Sequence, residues 1–195
     1  RFELLEQIEP CLKAAFEDVF TQDLNNVQGT NQLIRDVVYR QLQSVIERDR
    51  ERTPFYLKGL EKHDYTASLS LGEQDNAPYI HLKGTVDRIE ADDHGNARIL
   101  DYKTGNAEIN EKEGIPKFFE NPEKNRTSIQ LLWYTYLYKQ SEAAADESLH
   151  PGVYPVKGTN QGIQYLRNES GLTNDQFSQM EDQLREQLQS LFDAT

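Results

Sequence analysis

Two alternating segments joined by a short turn constrain the fold of this chain more than any other feature. Apolar and polar residues alternate over Tyr79–Glu90 and again over Ala97–Lys103, and this period of two is typical of β-strands with one buried face. Between them lies Asp92-Asp93-His94-Gly95-Asn96, whose residue types favour a tight turn. The pattern therefore predicts an antiparallel hairpin with His94 at its solvated tip.

Helical and strand patterns surround the hairpin. Apolar residues recur at helical spacing over residues 5–19, 34–46, 129–139 and 177–192. We expect Pro10 to interrupt the first helix, and Thr173 or Asn174 to cap the last one. Two further strands are predicted at Val153–Val156 and Ile163–Leu166. The prediction is an α/β fold, a single domain over residues 1–195 with a central mixed β-sheet flanked by helices.

A long polar stretch, residues 105–127, follows the hairpin and is expected to be a loop. Loops of this length inside a compact domain are usually functional or disordered. The chain begins inside an amphipathic pattern, without an initiator Met or a signal peptide, and we interpret it as a fragment of a longer protein. It contains no run of about eighteen apolar residues, so no membrane association is expected.

Charge and cysteine content restrict the function classes. The net charge of −12 opposes binding to a polyanion, but residues 1–26 and 171–195 together carry −8 of it. That excess acid is expected on solvated helix faces. Cys11 is the single cysteine, so a disulfide, a multi-cysteine zinc site or an iron–sulphur cluster cannot form within the chain. A cytoplasmic location is expected.

Three side chains of the hairpin form a candidate catalytic group. Asp101 and Lys103 lie two residues apart on one strand, so they project from the same face about 7 Å apart. Hairpin pairing can bring Asp87 beside them. Two carboxylates that repel one another favour a hard divalent cation with oxygen ligands. A lysine beside that cation can orient a water molecule and stabilise charge that develops on a phosphate.

The motifs around these residues resemble a known family. Gly84-Thr85-Val86-Asp87-Arg88-Ile89, followed by Asp101-Tyr102-Lys103-Thr104-Gly105 and then by Gln130 and Tyr134 four residues apart, is similar to the RecB/AddB branch of the PD-(D/E)XK nuclease superfamily. The resemblance implies a restriction-endonuclease-like core that hydrolyses DNA phosphodiesters with Mg²⁺ or Mn²⁺. It also implies a role in recombinational DNA repair, with DNA and a helicase or helicase-like region as partners.

The resemblance also implies roles for single residues. Asp87 and Asp101 would bind the metal together with the backbone carbonyl of Tyr102, and Lys103 would be the catalytic lysine near the attacking water. Gln130 and Tyr134 would support the site or contact the DNA backbone.

The resemblance also extends to two further residues. Arg88 would either pair with a phosphate or brace the hairpin. Glu61 would match an acidic position that many relatives have ahead of the hairpin.

Some family features are absent from the sequence. RecB-like nucleases usually carry a histidine on an N-terminal helix, whereas no histidine precedes His63 here. AddB-type relatives hold an iron–sulphur cluster through cysteines, which could exist only in a parent protein beyond this chain. The alternative to a nuclease is therefore a catalytically degenerate nuclease fold that binds DNA or acts as a scaffold. The isolated chain is expected to have little activity by itself.

Overall fold

The computed structural model describes residues 3–20, 29–72, 77–105, 109, 114–141, 148–157, 162–169 and 171–193. Contacts between residues divide the chain into two compact units. The first comprises Arg1–Thr53 with Val156–Asn160, and the second comprises Pro54–Pro155 with Gln161–Thr195. That residues 1–195 form a single domain stays a prediction.

The first unit contains helices α1 (Glu3–Glu6), α2 (Ile8–Phe20) and α3 (Thr30–Glu51). The interruption expected at Pro10 lies instead at Gln7. Pro10 falls in the first turn of α2, where the N–H that proline lacks would have no partner within the helix, so the helix can begin ahead of it.

The second unit is built on a five-stranded mixed sheet with the strand order β1-β2-β3-β4-β5. Its strands are β1 (Phe55–Ser70), β2 (Tyr79–Asp92), β3 (Ala97–Lys103), β4 (Leu149–Pro155) and β5 (Gln164–Glu169). Among these described strands, β3 and β4 pair in parallel and the other three neighbouring pairs are antiparallel. The α/β class and the mixed sheet flanked by helices are confirmed.

The predicted turn between β2 and β3 is confirmed, and side-chain hydrogen bonds stabilise it. The carboxylate of Asp92 accepts hydrogen bonds from the backbone N–H groups of His94 and Asn96, each at 2.9 Å, and from the side-chain amide of Asn96. Gly95 takes the left-handed conformation with φ +83°, which costs glycine little because it has no Cβ. His94 is exposed at the tip.

The parallel pairing of β3 with β4 requires a crossover, and helices supply it. The segment expected to be a loop over residues 105–127 contains α4 (Ile115–Glu120), and α5 (Arg126–Ser141) begins before that segment ends. That prediction was wrong for these residues, because Ile115, Phe118 and Phe119 bury their side chains in the core. Residues 106–108 and 110–113 lie outside the described part of the chain.

Helix α5 packs against four of the five strands and carries much of the core. A close approach makes this packing possible: a Cβ added at Gly84 on β2 would lie 2.7 Å from Cδ1 of Leu137 and 3.4 Å from Nε1 of Trp133. The absent side chain of Gly84 therefore lets α5 lie close to β2.

Helix α6 (Asn174–Asp193) packs against α4 and α5. Thr173 caps it as predicted: the Gln176 N–H donates to Thr173 Oγ1, and the Thr173 N–H donates to Gln176 Oε1. None of the helices in the described residues combines the length and the apolar character needed to cross a bilayer.

Candidate active site

The two aspartates predicted as metal ligands lie at the same level of neighbouring strands. Arg88 of β2 pairs with Leu100 of β3, so the antiparallel register brings the preceding Asp87 opposite the following Asp101. The Asp87 carboxylate accepts a hydrogen bond of 2.9 Å from the backbone N–H of Tyr102. Asp101 is buried and only 3% exposed.

The environment of Asp101 disfavours its charged form. Burial raises the pKa of the Asp101 carboxyl above its ordinary value, and the negative charge of Asp87 raises it further, while Lys103 opposes the shift. A raised pKa with these causes marks two carboxylates that would both be more stable beside a cation. Perturbed acids of this kind are common at functional sites.

Lys103 links the sheet to the crossover helix. Its ammonium lies 2.7 Å from Asp101 Oδ2 and donates a hydrogen bond of 2.9 Å to Gln130 Oε1 on α5. The Lys103 side chain is 29% exposed, so solvent or a substrate can reach it while two partners hold it. The common face expected for Asp101 and Lys103 is confirmed.

The pair on α5 is also in contact. Gln130 Nε2 donates to the hydroxyl of Tyr134 at 2.8 Å, as the spacing of four residues on a helix allows. Because Gln130 accepts from Lys103, a continuous chain of polar contacts runs from Asp101 to Tyr134. Together with Asp87 of β2, which accepts from the backbone of Tyr102, residues from three separate segments meet at one place.

Arg88 does not join this group. It follows Asp87 directly, so its side chain projects from the opposite face of the sheet, and it is only 3% exposed. There its guanidinium contacts the carboxylate of Glu90, with Nη2 2.6 Å and Nε 2.8 Å from Oε2. Of the two alternatives for Arg88, this geometry favours the hairpin brace over a phosphate contact.

Glu61 occupies an irregular point of β1. The flanking pairs Leu60↔Arg88 and Lys62↔Val86 put it level with Asp87, between two register shifts of the strand. Its φ of +43° is uncommon for a residue with a side chain, and the side chain is exposed. Irregular backbone often occurs near active sites, but no side-chain contact joins Glu61 to the group in the described structure.

The oxygen donors suit a hard divalent cation, although few protein ligands are available. Asp87 and Asp101 supply two carboxylates, and Mg²⁺ is usually held by one or two carboxylates with water in its other positions. Within the described residues, no group of three or more His, Cys, Asp and Glu side chains could hold a metal ion. The residues fit a cation that keeps much of its water.

An ionic network that was not predicted from the sequence lies on the opposite face of the sheet. Glu90 is completely buried and contacts both Arg88 and Arg98. The ring of Tyr102 also lies on this face, where its hydroxyl accepts from Arg88. The period of two could have identified the pair of Arg88 and Glu90, since residues two apart on a strand share a face.

The motifs and the family comparison agree on the origin of this site. A search of characterised proteins finds no match to the chain. A family model, the PD-(D/E)XK nuclease superfamily, matches residues 3–195, which includes every residue of the group around Asp87, Asp101 and Lys103. The chain belongs to the PD-(D/E)XK nuclease superfamily.

Proposed function

We propose that this chain is a metal-dependent nuclease domain that hydrolyses DNA phosphodiester bonds. The observation that carries the proposal is the position of Lys103, whose ammonium contacts both Asp101 and Gln130, while Asp87 lies opposite Asp101 on the neighbouring strand. A surface Asp–Lys pair that served only solubility would not need a buried aspartate or a partner on a separate helix.

Mg²⁺ or Mn²⁺ is the cofactor that we propose, held by Asp87, Asp101 and the backbone carbonyl of Tyr102. Bound there, such a cation would lower the pKa of a coordinated water and offset charge on a phosphoryl oxygen. Two carboxylates and one carbonyl leave several positions to water, so we expect weak affinity.

The protein residues would orient the reaction. Lys103 keeps its ammonium at a fixed place because Asp101 and Gln130 hold it from two sides. From there it can orient the attacking water and stabilise negative charge on the phosphate. Tyr134 restrains the amide of Gln130 through its hydroxyl, so both residues of α5 would act mainly by positioning Lys103.

The motif string supports a finer assignment within the superfamily. Asp-Tyr-Lys-Thr-Gly at residues 101–105 follows Gly-Thr-Val-Asp-Arg at residues 84–88, as in the RecB/AddB branch. We therefore propose a cytoplasmic role in recombinational repair, with a helicase or helicase-like region as partner. The family match over residues 3–195 supports the proposal that both compact units belong to one nuclease domain.

A degenerate nuclease fold that binds DNA or acts as a scaffold is the second candidate. Two observations favour it: the net charge of −12 and the small number of metal-ligating side chains among the described residues. A scaffold, however, has no need for a lysine held between Asp101 and Gln130.

Cleavage of end-labelled DNA by the native protein tests the proposal. With Mg²⁺ we expect cleavage that EDTA abolishes, and Lys103→Met should lower kcat by about 10²-fold or more, as the loss of one charge-stabilising donor does elsewhere. Lys58→Met is the matched control, because Lys58 also lies on a strand and donates to an α5 side chain, the hydroxyl of Tyr138. Full activity in folded Lys103→Met would refute the catalytic role of Lys103, whereas no Mg²⁺-dependent cleavage by the folded native protein would refute the nuclease assignment and favour the scaffold.

A further inference from the structure

A buried ionic network lies on the face of the sheet opposite the candidate active site. Arg88 and Glu90 are 3% and 0% exposed, and Glu90 Oε1 also accepts from Arg98 at 3.1 Å. The guanidinium of Arg88 lies 5.0 Å from the ring centroid of Phe55 and 5.6 Å from that of Tyr154.

A gain in folding stability does not by itself explain why such a network is buried. Removing charges from water is costly, and well-packed apolar residues of similar volume are often as stabilising as a buried ion pair. Buried ionic groups can instead enforce one particular arrangement of the residues that they contact. What Arg88 contacts besides Glu90 is therefore informative.

Arg88 contacts a residue that also reaches the active site. Its Nη1 donates a hydrogen bond of 3.0 Å to the hydroxyl of Tyr102. The backbone N–H of the same Tyr102 donates to the carboxylate of Asp87 on the other face. Since Asp87 is bonded covalently to Arg88, the three residues close a ring that spans β2 and β3. Movement of the Tyr102 ring would thus be transmitted to the amide that orients Asp87.

We infer that Arg88 is a positioning residue that acts through Tyr102 to set the orientation of the Asp87 carboxylate relative to Asp101. The buried Glu90 fixes the guanidinium, the guanidinium fixes the ring of Tyr102, and the amide of Tyr102 fixes Asp87. This inference rests on the proposed function, because it assigns the purpose of the ring to the metal site formed by the two aspartates.

Tyr102→Phe is the sharpest test, because it deletes only the hydroxyl that Arg88 contacts. Tyr138→Phe is the matched control, because the hydroxyl of Tyr138 also accepts a hydrogen bond from a cation, at 3.1 Å from Lys58 of β1. Binding of Mn²⁺ is measured by electron paramagnetic resonance, with Asp101→Asn as the baseline for cations held elsewhere on the acidic chain. Hydrogen exchange at the amide of residue 102 is measured without metal.

Tyr102→Phe should weaken specific Mn²⁺ binding by about tenfold, the low end of the effect seen when groups that orient metal ligands are removed. Exchange at the residue 102 amide should become faster, whereas Tyr138→Phe should change neither quantity. Arg88→Met should show a larger effect if it folds, and Tyr102→Phe carries the test if it does not.

The outcomes separate this inference from the proposed function. Specific Mn²⁺ binding that is equal in Tyr102→Phe, Tyr138→Phe and the unmodified chain would overturn the positioning role and leave the metal site intact. Loss of Mn²⁺ binding in both tyrosine variants would also overturn it, since the effect would then be one of general stability. No Mn²⁺ binding above the Asp101→Asn baseline in the unmodified chain would overturn the proposed metal site, and the positioning role with it.

Discussion

Glu90→Gln should destabilise the second unit far more than the removal of one charge from an exposed side chain would. The substitution keeps the shape of the side chain but removes the negative charge that faces Arg88, which is 3% exposed and cannot be rehydrated without local unfolding. The loss of the Glu90 charge costs less free energy at Arg98, since the Arg98 side chain is 21% exposed and its Nη2 also lies 3.5 Å from Asp92 Oδ2. The main cost is therefore a buried guanidinium that has lost its carboxylate partner Glu90.

The magnitude follows from that burial. Breaking a buried ion pair by removing one partner costs about 3–5 kcal/mol of unfolding free energy. With a denaturant dependence of about 2 kcal/mol per molar urea, the unfolding midpoint should fall by about 1.5–2.5 M. Replacing both partners, as in Arg88→Met with Glu90→Leu, should cost much less than Glu90→Gln alone, because the deeply buried guanidinium is removed together with its carboxylate.

Urea unfolding followed by tryptophan fluorescence reports on the stability of the second compact unit. Trp133 is the single tryptophan of the chain and packs against the core of the second unit. Glu181→Gln on α6 is the control, because Glu181 pairs with Arg185 at 3.0 Å in a partly exposed position and should cost at most about 1 kcal/mol. A loss of under about 1 kcal/mol in Glu90→Gln would refute the assignment of a buried charge pair.

Three further predictions concern packing, protonation and DNA binding. Gly84→Ala should cost about 1–3 kcal/mol of unfolding free energy, measured in the same urea assay, because the added Cβ would overlap the buried Leu137. Since burial raises the pKa of Asp101, its stabilising contribution in the metal-free chain is present below the ordinary carboxyl pKa and is lost as pH rises through the raised value. Asp101→Asn should lack this loss, and a stability difference between the two chains that stays constant with pH would contradict it. Fluorescence anisotropy in a salt series should show weak DNA binding that Ca²⁺ strengthens, because a net charge of −12 opposes a polyanion; tight binding without metal would favour the scaffold.

The hairpin of the fold was predictable from sequence because its signals are local. Alternation over β2 and β3 requires only a period of two, and the turn residues between them accept or supply their own hydrogen bonds. The polar stretch before α5 was misjudged because its few apolar residues, Ile115, Phe118 and Phe119, make a helix of only six residues. So short a segment becomes helical through tertiary packing rather than intrinsic propensity.

The candidate site was predictable as far as its members share a strand or a helix. The proximity of Asp101 to Lys103 follows from their spacing of two residues on a strand, and that of Gln130 to Tyr134 from their spacing of four residues on a helix. The contact between Lys103 and Gln130 depends on how α5 returns over the sheet, which no local pattern specifies. The double role of Tyr102 was missed for a similar reason: its backbone and its ring act on opposite faces of the sheet.

Anomalous scattering from crystals soaked in Mn²⁺ tests the central claim most directly. The proposed site predicts one strong peak between the carboxylates of Asp87 and Asp101 and close to the backbone carbonyl of Tyr102, and Asp101→Asn should abolish it. The ammonium of Lys103 should lie beside that peak without coordinating the ion. Well-ordered crystals with no peak between the two aspartates at millimolar Mn²⁺, or with peaks only elsewhere on the acidic surface, would contradict the claim that this group is a metal-dependent active site.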